Sequence, residues 1–271
     1  MARPNKEVLE ERQNFLQTIA DCADNPSKFS EVFLNHKLFD YNKQYVDCND
    51  RFIVYRSGRQ VGKTMSTAVK AIHFAFFAPL MLKTVNTDCT IVIAAPTQNQ
   101  ATIMFGRIRD MILRNDFLSR YVIRNTQTEM WVRFLDNTGM SKIITRATGE
   151  HGTTLRGYSP HCIIADECSF IKTDILRAFL PSGMATNARV WLTSTPFSKS
   201  GYFYEASMNA RPKNPDGLWR EFHVKSTQNP LVREDPTFLE EMKKLTREEY
   251  VQEIDGEFLD IGDALIPNTL L

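Results

Sequence analysis

Ser57-Gly58-Arg59-Gln60-Val61-Gly62-Lys63-Thr64 is the stretch on which the reading of this chain turns. It follows an apolar run, Phe52-Ile53-Val54-Tyr55, that reads as a strand, and it opens a segment, Lys63 to Phe77, that reads as a helix. A glycine-bearing turn between strand and helix, closed by Gly-Lys-Thr, lets backbone N–H groups and the helix N-terminus cradle phosphate oxygens. The pattern makes Ser57, Gly58, Arg59, Gln60, Val61 and Gly62 the candidate ATP-binding loop, with Lys63 reaching the β and γ phosphates and Thr64 ligating Mg²⁺. Ser57 stands where glycine is usual. Arg59, inside the loop, is a candidate either for action in cis on the γ-phosphate or for clamping a structural acid.

Working outward, strand and helix signals alternate. Thr90 to Ala94 reads as a strand; Ala101, Met104, Phe105, Ile108, Met111 and Ile112 then form the apolar stripe of an amphipathic helix. Glu129 to Leu135 and Lys142 to Thr148 flank Asp136-Asn137-Thr138-Gly139 and predict a hairpin. Cys162 to Ala165 and Val190 to Thr193 are short apolar runs of the kind found in strands buried on both faces of a parallel sheet. The alternation implies βαβ crossovers and an α/β fold with a mostly parallel central sheet flanked by helices. Asn25-Pro26-Ser27 divides Lys6 to Phe33 into two helices. Near the end, Asp235-Pro236 starts a helix, and Thr246 and Glu249 stand at the capping-box spacing of a second. The expected division is an N-terminal helical segment over 1–50, an ATPase core over 51–228 and a C-terminal helical subdomain over 229–271.

Cys162-Ile163-Ile164-Ala165-Asp166-Glu167 supplies what the loop lacks. A buried strand ending in two acids aims carboxylates at the phosphates, so Asp166 is the candidate for the Mg²⁺ shell and Glu167 for orienting and deprotonating the attacking water. Together with the loop, these acids predict a P-loop NTPase of the RecA-like, ASCE type. Thr193, Ser194 and Thr195 end the next strand before Pro196, where hydroxyls can sense the γ-phosphate and pass its loss to neighbouring elements. Upstream, the amide of Gln44 is a candidate reader of the adenine edge, which gives the N-terminal segment its adenine-side motif.

The composition narrows the class. In 271 residues there are 33 Lys+Arg against 32 Asp+Glu, with 42% hydrophobic residues, as in an ordinary globular chain. Near-zero net charge excludes a uniformly basic coat, but residues 101–160 hold nine Lys/Arg against five Asp/Glu, and residues 216–263 hold six against thirteen. A basic region and an acidic tail follow, the former suited to a polyanion. The longest apolar candidate, Ala71 to Leu82, is broken by His73 and Pro79, so no membrane association is expected. Without a secretory h-region, and with five cysteines in no CxxC pair, a cytoplasmic chain with reduced thiols is expected.

These pieces, taken in order, resemble the large terminase subunit of tailed bacteriophages. The resemblance spans roughly Leu38 to Phe258. It is carried by Gln44, the loop at 59–64, Ala95-Pro96-Thr97, Thr154-Leu155-Arg156-Gly157-Tyr158, Ile164-Ala165-Asp166-Glu167, Thr193-Ser194-Thr195-Pro196, Asn229-Pro230 and Glu253-Ile254-Asp255-Gly256-Glu257-Phe258. It implies an ATP- and Mg²⁺-dependent motor domain that drives double-stranded DNA into a procapsid in the host cell cytoplasm. Implied partners are the portal, the small terminase subunit and further copies of the chain in a ring, with a monomer expected in isolation. Arg156 falls on a segment that the resemblance places near the subunit edge, which makes it the favoured finger acting in trans, with Arg146 next. The family continues into an RNase H-like nuclease, absent from the residues given, so no cleavage is expected, and 261–271 reads as the start of a linker. A helicase-like nucleic-acid-remodelling ATPase shares several of these motifs and stands as the alternative; a nucleotide-binding module without turnover is disfavoured by Glu167.

Overall fold

The computed structural model describes residues 6–82, 88–149, 152, 155, 157–234 and 236–260. Its frame is a sheet of β1 (Phe52–Ser57), β2 (Cys89–Ala95), β3 (Val122–Asn125), β4 (Glu129–Arg133), β5 (Met140–Ala147), β6 (Cys162–Asp166), β7 (Arg189–Ser194), β8 (Ala210–Arg211) and β9 (Trp219–Val224). The order across the sheet is β3-β4-β5-β2-β6-β7-β1-β9-β8. From β5 to β8 every pairing is parallel, whereas at the other edge β4 pairs antiparallel with β5, and β3 antiparallel with β4. The expected hairpin is thus the joint between β4 and β5, with Met130 opposite Ile143.

Side chains alternate across the strands and separate two apolar layers. On one face Ile53, Tyr55, Ile93, Ile164 and Trp191 pack under α1 (Lys6–Ala23), α2 (Pro26–Phe33), α3 (Asp40–Val46), α4 (Lys63–Leu82) and α5 (Gln98–Leu113). On the other, Val54, Val92, Ile163 and Leu192 pack with α7 (Thr173–Phe179) and α8 (Gly201–Met208). All five residues of β6 are buried, as a central parallel strand covered on both faces requires. Short α6 (Asp116–Ser119) follows α5; α9 (Pro230–Arg233), α10 (Pro236–Met242) and α11 (Arg247–Glu253) close the chain.

Two elements depart from expectation. Helix α4 runs past Phe77 and through Pro79 to Leu82, because Met81 and Leu82 pack against the core. It is long and apolar enough to cross a membrane by length and composition, yet 72% of that window is buried, as befits the central helix of the domain. Strands β8 and β9 are additions that the polar pattern of Trp219-Arg220-Glu221-Phe222-His223-Val224 conceals. Glu221 lies 3.0 Å from Arg56 on neighbouring β1, with side chains only 6% and 5% exposed. Residues that read as solvent-facing are a buried ion pair between adjacent strands.

Candidate nucleotide-binding site

The loop after β1 closes at the carboxyl end of the parallel strands, where open α/β sheets bind ligands. Gln60 (φ 60°) and Gly62 (φ 78°) take left-handed conformations, and the Gly62 carbonyl then accepts from Ser66 N–H at 2.9 Å as α4 begins. Gly58 to Met65 line a cavity of about 370 Å³ with Arg107, Glu167 and Thr195. A larger hollow of about 540 Å³ lies among Asn49, Arg51, His161 and Arg189, at the opposite, amino ends of the strands.

The loop is fastened from two sides. Underneath, buried Asn42 on α3 donates through Nδ2 to Val61 O at 2.9 Å, and its Oδ1 accepts from the Tyr55 hydroxyl at 2.6 Å. Beside it, Gly58 N–H donates to Val224 O at 2.9 Å, Arg59 N–H to Glu253 O at 2.8 Å and Asn229 Nδ2 to Gln60 O at 2.6 Å. The seam is tight. A Cβ on Gly58 would stand 2.5 Å from Ser226 Oγ, and one on Gly256 (φ 66°) would stand 2.6 Å from Gly58 N.

Strand β6 delivers the two acids. Asp166 is 4% exposed and accepts from Thr193 Oγ1 at 2.7 Å; burial raises its carboxyl above the usual range against the opposing charge of Lys63. Glu167 sits in a left-handed conformation (φ 49°, ψ 45°), uncommon for a residue with a Cβ and typical of strained positions at functional sites. Its Oε1 lies 3.1 Å from Lys63 Nζ, and its Oε2 lies 3.3 Å from Ser194 Oγ. The Ser194 hydroxyl accepts from Ser169 N–H at 3.2 Å and has one hydrogen for two acceptors, Glu167 and the Thr195 carbonyl at 2.7 Å. In this state the nearer carbonyl holds it.

The expected site residues fall into three groups. Gly58 to Thr64, Glu167 and Thr195 converge on the cavity, with Asp166, Thr193 and Ser194 directly behind them. Ser57 is buried under the loop with its hydroxyl unpartnered. Gln44 lies exposed on α3 and does not line the phosphate cavity; on this helix the position that turns inward beneath the loop is Asn42. Arg59 stands on the rim, 68% exposed and ion-paired with Glu253. Arg146 binds Glu129 at 2.6 Å on the neighbouring strand, away from the cavity lining. Arg156 lies outside the described residues. Sequence reading missed Asn42, Asn229 as a contact of the loop, and Arg107. Asn42 stands two positions from the candidate glutamine, and Asn229-Pro230 enters only as a motif; Arg107 offers no signal beyond a polar position on an amphipathic helix.

A parallel sheet with this loop at its carboxyl end, facing paired acids from a strand two places away, defines a P-loop NTPase of the RecA-like type. A family model described as terminase large subunit, T4likevirus-type, N-terminal, matches residues 54–271. The chain belongs to that family. The probable terminase large subunit of Enterobacteria phage P7 is 27% identical over 223 residues, 78% of this chain but 43% of its own length. The chain therefore spans less than half of that relative. Among solved structures, the large terminase ATPase domain of Thermus phage P74-26 superposes with a TM-score of 0.70 at 23% identity, covering 87% of this chain and 99% of that one. The HK97 bacteriophage large terminase superposes with a TM-score of 0.67 at 18% identity, covering 86% of this chain and 54% of the other. The large terminase of a thermophilic bacteriophage, solved in complex with ADP, gives 0.60 at 14% identity, covering 78% and 49%.

Proposed function

We propose that the chain is the ATP-hydrolysing motor domain of a viral DNA-packaging terminase, coupling hydrolysis to translocation of double-stranded DNA into a procapsid. The observation that carries this is the convergence of Lys63 and Glu167, 104 positions apart in sequence, across one cavity at the end of a parallel sheet, in a chain of the terminase family.

The loop amides and Lys63 bind the β and γ phosphates. Arriving phosphates compete with Glu167 for Lys63, and the freed carboxylate turns to a water in line with the γ-phosphorus, taking its proton as the oxygen attacks and the bond to the β–γ bridging oxygen breaks, releasing ADP and phosphate. Thr64 and Asp166 are the groups that would hold Mg²⁺. Two protein ligands suffice, since Mg²⁺ keeps several waters and takes substrate phosphates rather than a full protein cage; among the described residues no cluster of three or more acids, histidines or cysteines competes for that role. When bound, Mg²⁺ neutralises charge between the β and γ oxygens. Thr193 holds Asp166, and Ser194 exchanges its hydroxyl hydrogen between Glu167 and the chain at Thr195, a route from γ-phosphate loss to the segment after β7.

In the working ring on the portal, Arg156 is proposed to reach the ATP of a neighbouring copy. Basic positions between 101 and 160 grip the duplex, the small subunit presents it, and the process runs in the host cell cytoplasm. The test is phosphate release with and without procapsid and double-stranded DNA: hydrolysis dependent on Mg²⁺ and raised by both is expected, and no hydrolysis under any condition overturns the proposal. DNA affinity should fall steeply with salt and show no sequence preference, as for phosphate-dominated contacts.

A further inference from the structure

Three cations line the phosphate cavity, and their partners differ. The Arg59 guanidinium is held by Glu253, and Lys63 lies 3.1 Å from Glu167. Arg107, on α5, makes no hydrogen bond or ion pair among the described residues, although it lines the same cavity with Lys63, Thr64, Met65 and Glu167. A carboxylate was within its reach along the helix. Asp110 lies one turn on, at a spacing where ion pairs form readily, yet Asp110 faces Arg109 at 3.9 Å. Arg107 is thus an exposed guanidinium at the mouth of a cavity built for phosphate, unneutralised among the described residues.

Topology fixes which end of the phosphate chain it addresses. Helix α5 follows β2, and β2 pairs directly with β6, the strand that ends in Asp166 and precedes Glu167. Arg107 therefore enters from the side of the two acids, whereas Arg59 and Glu253 stand on the side of β9 and the C-terminal segment. In a cavity whose loop wraps the middle of the phosphate chain, the acid side is the γ side. A triphosphate there brings added negative charge against Asp166 and Glu167, and a guanidinium with a planar fork of donors suits those terminal oxygens.

We propose that Arg107 is a further catalytic residue acting in cis, donating to the γ-phosphate oxygens of ATP and offsetting the charge that develops on them during transfer. This rests on the reading of the cavity as an ATP site. It makes Arg107 a discriminator between tri- and diphosphate, since ADP lacks the group it contacts.

The experiment compares parent chain, Arg107→Ala and Arg107→Lys by equilibrium binding of ADP and of ATPγS, and by single-turnover hydrolysis of Mg-ATP without DNA at dilutions where the chain is monomeric. Arg107 has no hydrogen-bond or ion-pair partner among the described residues, so the variants should unfold at the parent's midpoint. The expected result for Arg107→Ala is ADP affinity within about twofold of the parent, ATPγS affinity down about tenfold, and a rate down on the order of 10²-fold, with Arg107→Lys in between. A rate and an ATPγS-to-ADP affinity ratio both within about twofold of the parent overturn the role, as does an equal loss of affinity for both nucleotides. A loss seen only in DNA affinity overturns it too and makes Arg107 a duplex contact. A parent chain that binds neither nucleotide is the separate failure of the ATP-site reading itself.

Discussion

Lys63 Nζ stands 3.1 Å from Glu167 Oε1, so the lysine of the loop and the acid after β6 neutralise one another across the cavity. The Glu167 carboxylate is a resident competitor for the cation that incoming phosphates need, and its charge also repels them. Replacing it by a neutral isostere should remove both effects. Glu167→Gln is predicted to bind ADP as tightly as the parent or a few-fold tighter, read by isothermal titration; binding about tenfold weaker would show that Glu167 supports the loop rather than competing with it.

Asn42 should matter where Gln44 does not. Removing the Asn42 amide strands the buried Tyr55 hydroxyl and the Val61 carbonyl, each at a cost of roughly 1–3 kcal/mol. Asn42→Ala should therefore lower stability in urea unfolding and loosen the loop enough to weaken nucleotide binding. Gln44→Ala, at an exposed position, should change neither. Equal effects of the two substitutions on stability would contradict the anchoring role of Asn42.

The seam between the loop and the C-terminal segment is predicted to depend on backbone contact more than on charge. Arg59 is 68% exposed, and such ion pairs contribute about 0–1 kcal/mol, so Glu253→Gln should be nearly silent in stability. Gly256→Val forces a Cβ into Gly58 N at 2.6 Å in a left-handed conformation and should release the segment. Limited proteolysis after Val224 checks this: faster cleavage in the glycine variant alone is expected, and faster cleavage in Glu253→Gln alone would reverse the ranking.

His73 gives a signed pH dependence. Packed between Phe29 and Phe77, with Nε2 2.9 Å from Cys22 O, its ring is pushed by burial from 6.5 down to about 4. Below pH 6.5 the unfolded chain takes up a proton that the native chain refuses, so stability is lost as pH falls from 6.5 toward 4. Between about pH 6.5 and about pH 5 the parent should lose roughly 2 kcal/mol that His73→Leu does not, measured by denaturant midpoints. Parallel losses in both would place the acid sensitivity elsewhere.

Mid-helix Gly106 has nothing among the described residues within 4 Å of where a Cβ would stand. Gly106→Ala should raise stability by about 0.5–1 kcal/mol in denaturant unfolding, through helix propensity alone. A destabilised variant would mean that the glycine answers a close approach in the fold.

Much of this architecture was legible because its signals are local. The loop, the buried strand with its terminal acids and the hydroxyl run each lie within a few consecutive residues, and the βαβ alternation orders them. What stayed hidden depends on pairings across the sheet. The polar pattern of Trp219 to Val224 carries no strand signal until Arg56 on β1 is placed beside Glu221. Asn42 and Gln44 differ by two positions on a short helix, and only packing of α3 against the loop decides which amide turns inward. Arg107 becomes visible when α5 is laid over β2, the neighbour of β6, since no spacing in the sequence links it to Lys63.

The most direct test is steady-state phosphate release from Mg-ATP by the parent chain, Lys63→Ala and Glu167→Gln, with ATP binding measured on the same samples. The account predicts hydrolysis by the parent and none by either variant, with binding lost in Lys63→Ala and kept in Glu167→Gln. Hydrolysis by Glu167→Gln at near the parent rate would contradict it, because another group would then be positioning the water.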